Sequence, residues 1–477
     1  MKTDAHWKKI GQRPHHGICL PLSAIRSHKS CGIGEFLDLL PLIDWCQKIG
    51  LDCLQLLPLN DTGDDPSPYN PISSCAIDPI YLSLRDLKVP LDDRFQPLNN
   101  LPRLRRSEVK QLKLGWLFAF FKEKFSSFQK DPSYSSFLKD ASWLFEYAKN
   151  RSSQDERGID FHCFLQYLCF SQLKKVREFA ESRSFFLVGD IPHLLSPYSI
   201  DVSAHPSFFQ RDLAAGAPPD PYNAFGQNWG FPLFHWEAMK DDGYTWWKTR
   251  LRTIENFYHI YRLDHVVGFF RIWGIQPGKR AAEGSFYPPN RSLWEERGKE
   301  ILEMMIDASS LLPIAEDLGT IPSEVYSTLR KLGICGTKVL RWQPGIPLNQ
   351  YEPLSLTTVS TPDLEPLALF WQKYPEEASS LCQTKGWTYE QALSPNIARN
   401  ILKDAHHTSS YFHINLLQEY LFLFPDLRWP NLEEERINVP GTVLATNWTY
   451  RFRPTLEEIV NHAALQSTIL EITCSGC

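Results

Sequence analysis

The sequence predicts an α/β fold: a (β/α)8 TIM barrel with helical and loop insertions between its strands and no C-terminal β-domain. Two observations carry this expectation. Several short apolar runs end in carboxylates: residues 185–188 lead into Gly189-Asp190, 257–263 into Asp264, 311–315 into Glu316-Asp317, and 356–361 into Pro362-Asp363. Stretches with apolar residues at helical spacing lie between such runs. A (β/α)8 barrel assembles its active site from the C-terminal ends of its strands, which is where these carboxylates would stand.

Taken in order, residues 17–22 form a short apolar run and 36–49 a helix by their spacing. Residues 53–58 read as the second strand, followed by a polar, turn-rich loop from Asn60 to Tyr69. The Gly32-Ile33-Gly34 turn lacks the third glycine and the abutting strand of a phosphate loop. Residues 103–151 are helical in pattern, with Leu117, Phe121, Phe125 and Phe128 on one face. Phe137, Ala141, Leu144, Phe145 and Ala148 lie on another. A further helix through Leu165 and Val176 delivers the chain to a third strand at 185–189. Residues 191–236 are rich in Pro and Gly, with few regular signals. A loop of that length in a compact enzyme is usually functional. The fourth strand carries Asp264 and the fifth ends at Glu316. The sixth is expected at 338–342, the seventh ends near Asp363, and the eighth spans 411–416. Residues 1–477 are thus expected to form one catalytic domain, with a helical insertion at 85–160, a lid-like insertion at 191–236 and a helical insertion at 364–410.

The composition bounds the function. At 477 residues and 43% hydrophobic, the chain can bury a large core. Fifteen Trp also suit stacking on the faces of sugars. A net charge of −5 without a basic stripe argues against nucleic acid. No apolar run approaches a membrane span, and residues 1–17 lack the apolar centre of a signal peptide. Eleven scattered Cys suit buried reduced thiols, so a cytoplasmic protein is expected. The only Cys-x-x-Cys, Cys474 to Cys477, reads as a frayed tail. The pairs His15-His16 and His406-His407 read as exposed polar residues. No spacing of Asp, Glu or His demands a metal, and no cofactor is expected.

Asp264 and Arg262, two apart on a strand, point to the same face. Two carboxyls on adjacent strand ends can flank a glycosidic bond, one as nucleophile and one as acid/base. The nucleophile favours a neighbouring cation and the acid an apolar setting. Asp264 fits the first role and Glu316 the second. Glu316 and Asp317 face opposite ways by alternation, and the pattern alone does not choose between them.

Several motifs stand out along the chain: Pro66-Ser67-Pro68-Tyr69, Val188-Gly189-Asp190-Ile191-Pro192, Gly226-Gln227-Asn228-Trp229-Gly230, Arg262-Leu263-Asp264-His265 and Ala315-Glu316-Asp317-Leu318-Gly319. Gly336-Thr337-Lys338-Val339-Leu340 and Asn438-Val439-Pro440-Gly441-Thr442 complete the set. Together they resemble the motifs of glycoside hydrolase family 77, the 4-α-glucanotransferases or amylomaltases. The resemblance implies retaining transfer among maltooligosaccharides and α-1,4-glucans. It implies Asp264 as nucleophile, Glu316 as general acid/base and Asp363 as stabiliser of the transition state. Ser67, Tyr69, Arg262 and His265 would surround the sugar at the cleavage point. Tyr222, Phe225, Gln227 and Trp229 would meet the acceptor. Pro362 departs from the pattern, since the family's third carboxylate normally follows a histidine. Tyr198, Ser203 and Phe231 are further departures. An α-1,4-glucan hydrolase, or a glucan-binding protein with weakened catalysis, are the alternatives.

Overall fold

The computed structural model describes residues 1–88, 92–219 and 224–474. Eight short strands form one parallel sheet: β1 His15–Leu20, β2 Cys53–Leu56, β3 Phe186–Ile191, β4 Ile260–Leu263, β5 Leu312–Ala315, β6 Gly336–Val339, β7 Ser355–Thr358 and β8 Phe412–Leu416. Their order is six, seven, eight, one, two, three, four, five. A parallel bridge between Ile314 and Cys335 joins β5 to β6 and closes the barrel. Strands buried on both faces need continuous apolar runs, and β2 and β5 are buried at every position.

Several expected strand ends shift, those of the sixth and seventh furthest. The sixth occupies Gly336–Val339, and Leu340–Trp342 turns as a 3₁₀ helix. The seventh stops at Thr358. The apolar pattern continues past each true end, so the pattern alone overruns the strand.

Residues 209–234 depart further from expectation. They hold two antiparallel strands, Phe209–Ala217 and Gln227–Phe234. Ile272–Ile275 and Ser285–Tyr287 extend these into a four-stranded sheet. Register shifts between Gln210 and Gly216 break the period-2 alternation that would have revealed it.

Between β2 and β3 lie the helices Arg106–Phe128, Pro132–Asp140, Leu144–Asp155 and Ile159–Glu181. The face expected from Phe137 to Ala148 is split between two of them, with Ala141 ending the first and Phe145 exposed. After β8 the chain continues in short helices, with no further sheet among the described residues.

Much of the Trp content is core: Trp7, Trp45, Trp236, Trp247, Trp294 and Trp371 are all buried. His15 and His406 are also buried, contrary to expectation. The His15 ring pairs with Asp52 at 2.8 Å, and His406 packs against His16 and Tyr420. Such partners make burial of a polar ring tolerable. All described cysteines are free, and only Cys474 is exposed. Cys477 lies outside the described residues. No described helix is long and apolar enough to cross a membrane.

Gly189 sits in β3 beside the buried ring of Tyr258, which an added Cβ would meet at 2.3 Å. Gly189→Ala should therefore destabilise the protein by about 1–3 kcal/mol, read as a lowered urea midpoint.

Candidate active site

The site is built from strand ends. Asp190 on β3 and Arg262 on β4 are register partners in the parallel ladder. Arg262 Nη1 donates to Asp190 Oδ1 at 2.9 Å, to Asp190 Oδ2 at 3.0 Å and to Asp264 Oδ1 at 3.0 Å. Burial alone would pull the guanidinium down, but Asp190 and Asp264 hold it well above its ordinary range. It is therefore a fixed positive charge. Burial pushes Asp190 up to about 6, opposed by Arg262 and reinforced by Asp264. The Tyr69 hydroxyl, from the loop after β2, donates to Asp190 Oδ2 at 2.7 Å.

Glu316 follows β5. Its Oε2 accepts the His265 backbone N–H at 2.9 Å and its Oε1 that of Leu318 at 2.8 Å. Burial raises its carboxyl to about 7, against Arg262 and with Asp264. Asp317 turns the other way. Its Oδ1 accepts the Thr337 N–H at 2.6 Å across the β5–β6 seam. An added Cβ at Gly336 would meet Asp317 Oδ2 at 2.4 Å, so this approach requires glycine. Of the two carboxylates left open by the sequence, Glu316 is the one that lines the mouth.

His265 has a left-handed backbone, φ 47°, unusual outside glycine and typical of functional sites. Burial lowers its imidazole to about 4, so the ring is neutral at ordinary pH. Trp229, from the Gln227–Phe234 strand, meets that ring edge to face with centroids 5.0 Å apart. Trp229 Nε1 donates to Gln227 Oε1 at 3.1 Å. Asp363, beyond β7, accepts Asn438 Nδ2 at 2.7 Å, while burial raises its carboxyl. The cavity at the barrel mouth is lined by Gln55, Tyr69, Asp190, Arg262, Glu316 and Pro362.

The structure thus gathers Tyr69, Arg262, Asp264, His265 and Glu316 around one charge cluster, with Trp229 against His265 and Gln227 bonded to Trp229. Ser67 shapes the loop: its N–H bonds Asp65, and its Oγ accepts the Tyr69 N–H at 3.3 Å. Phe225 is 85% exposed at the hairpin tip. Tyr222 lies outside the described residues. Sequence reasoning left Asp190 and Asn438 off its list of site residues. Asp190 carried the signal of a carboxylate ending an apolar run. Asn438 stood only within a motif, and its role depends on a fold that brings it to Asp363. Among the described residues no group of three or more His, Cys, Asp or Glu could hold a metal. A carboxylate facing a half-buried cation, beside a carboxyl that keeps its proton near neutrality, is equipped for displacement at an acetal carbon.

The chain is similar to known proteins along nearly its whole length. The profile described as 4-alpha-glucanotransferase matches residues 20–158 and 147–457. A 4-alpha-glucanotransferase of Chlamydia caviae is 42% identical, over 98% of this chain and 96% of its own. An amylomaltase of Streptococcus agalactiae, solved with acarbose, superposes with TM-score 0.79 at 21% identity, over 97% of this chain and 99% of its own. An amylomaltase of Corynebacterium glutamicum gives TM-score 0.82 at 22% identity, over 98% of this chain and 76% of its own.

The depressed His265 value gives a direct expectation. The ring stays neutral from pH 9 down to about pH 5 and protonates only as pH falls through about 4. Nitrogen-15 NMR of the imidazole checks this, and a midpoint near 6.5 would contradict it.

Proposed function

The chain belongs to the 4-alpha-glucanotransferase family, and on that footing we propose that Asp264, Glu316 and Asp363 carry the transfer of an α-1,4-glucan segment to the 4-hydroxyl of glucose or another α-1,4-glucan. The reaction is a retaining double displacement. The Asp264 carboxylate attacks the anomeric carbon as the glycosidic C–O bond breaks, and Glu316 gives its proton to the departing 4-oxygen. The incoming 4-hydroxyl then loses its proton to Glu316 and displaces Asp264. Asp363, held by Asn438, stabilises the positive charge that develops on the sugar ring between the two bonds.

The observation that carries this reading is the contrast between two neighbouring carboxyls. Asp264 faces the Arg262 guanidinium at 3.0 Å, while Glu316 is half-buried and its carboxyl is raised to about 7. Ser67, Tyr69, Arg262 and His265 serve the sugar at the cleavage point. Tyr222, Phe225, Gln227 and Trp229 serve the acceptor side, and the 191–236 insertion acts as a lid that keeps water from the covalent intermediate. Residues 1–477 work as one catalytic barrel carrying that lid and the helical insertions at 85–160 and 364–410. Maltooligosaccharides are the working substrates. The buried, unpaired thiols support a reducing compartment, the cytoplasm.

Incubation with maltotriose should give glucose plus a ladder of longer maltooligosaccharides, with total reducing ends nearly constant. Rising reducing ends without longer products would make the chain a hydrolase instead. Asp264→Asn should lower transfer about 10³-fold or more and leave glucan binding intact. Substantial residual transfer would sink the assignment of the nucleophile.

The raised Glu316 value sets a pH limb. The acid must be protonated in the free enzyme, so kcat/KM should fall about tenfold per pH unit above about 7. Glu316→Gln should lose both that limb and most of the activity.

A further inference from the structure

The helices after β2 surround two buried carboxylates with three cations. Lys110 donates to Asp61 Oδ1 at 3.1 Å, to Asp78 Oδ2 at 3.4 Å and to the Gly63 carbonyl. Arg106 pairs with Asp78 and donates to Thr62 Oγ1 at 3.1 Å. Arg151 lies 3.6 Å from Asp61 Oδ2, and the Tyr147 hydroxyl donates to that oxygen at 2.7 Å. Lys110, Tyr147, Asp61 and Asp78 are all buried. The three N–H groups of Lys110 have three acceptors, so the ammonium is saturated.

From this cluster a run of hydrogen bonds leads to the catalytic mouth. Asp61 Oδ1 accepts the Gly63 N–H at 3.0 Å, and Thr62 Oγ1 donates to the Asp65 carbonyl at 2.6 Å. Asp65 accepts Ser67 N–H at 2.8 Å and Asn70 Nδ2 at 2.7 Å. Ser67 Oγ holds the Tyr69 N–H, Tyr69 holds Asp190, and Arg262 joins Asp190 to Asp264. Apolar packing would fasten helices to a barrel at least as well as buried charge, so such clusters suit the fixing of one register.

We infer that Lys110 and Tyr147 are positioning residues of the transfer reaction. They hold the 61–70 loop so that Tyr69 keeps Asp190, and through it Arg262, aligned on Asp264. The inference rests on the assignment of Asp264 above.

The test is a double-mutant cycle on the full chain, read by maltotriose disproportionation. Tyr147→Phe removes one hydroxyl and keeps the volume, and Lys110→Met removes the charge. Each should lower kcat about tenfold with KM changed less than about twofold. In a Tyr69→Phe background each should cost less than about twofold, because the contact they act through is already gone. Equal losses in both backgrounds, or a lowered Tm with kcat unchanged, would overturn the inference. If Lys110→Met does not fold, the same comparison with Tyr147→Phe decides. Residual transfer in Asp264→Asn is scored separately: it would overturn the site assignment without altering the ratio between backgrounds.

Discussion

One guanidinium nitrogen, Nη1 of Arg262, faces three carboxylate oxygens at the mouth of the barrel. Burying a charge is costly unless it is paired and hydrogen-bonded, and a pair broken from one side leaves an uncompensated ion worth about 3–5 kcal/mol. Arg262, Asp190 and Asp264 therefore depend on each other. The surrounding structure is arranged to keep them together: β3 and β4 pair in register, so Asp190 and Arg262 lie side by side on one face. The Tyr69 hydroxyl takes up a further lone pair of Asp190.

The same cluster sets the carboxyls apart. Glu316 shares the mouth but makes no hydrogen bond to Arg262. It is held instead by two backbone N–H groups, one from His265 in its left-handed turn. Burial then dominates and keeps its proton near neutrality. Of the two carboxyls on neighbouring strands, Asp264 bonds the guanidinium directly, whereas Glu316 meets it only through space.

The β5–β6 seam sets the aim of Glu316. Along it the strands meet through the Ala315–Cys335 backbone bond, and side chains supply the rest: Asp317 accepts from Thr337 N–H, and Thr337 Oγ1 donates to the Ala315 carbonyl. Because Asp317 occupies the seam, its predecessor must point into the mouth. Gly336 makes room for this, since a Cβ there would collide with Asp317.

Some of this was legible in the chain alone. Apolar runs ending in carboxylates carried the barrel, because parallel strands buried on both faces leave apolar runs and the acids stand at the strand ends around the mouth. The two-residue spacing of Arg262 and Asp264 carried their shared face. The hairpin of 209–234 was not legible, because its register shifts erase alternation. Nor was the burial of His15 and His406, which rests on partners distant in sequence. By itself the sequence determined the fold class and offered the residues proposed for the chemistry, since both follow from local periodicity and residue type. Only the tertiary structure decided that Glu316 and not Asp317 lines the mouth, that Asn438 meets Asp363, and that Asp190 shares Arg262 with Asp264. Each of these is a contact between strands or loops far apart in the chain, and its geometry exists only once the barrel has closed.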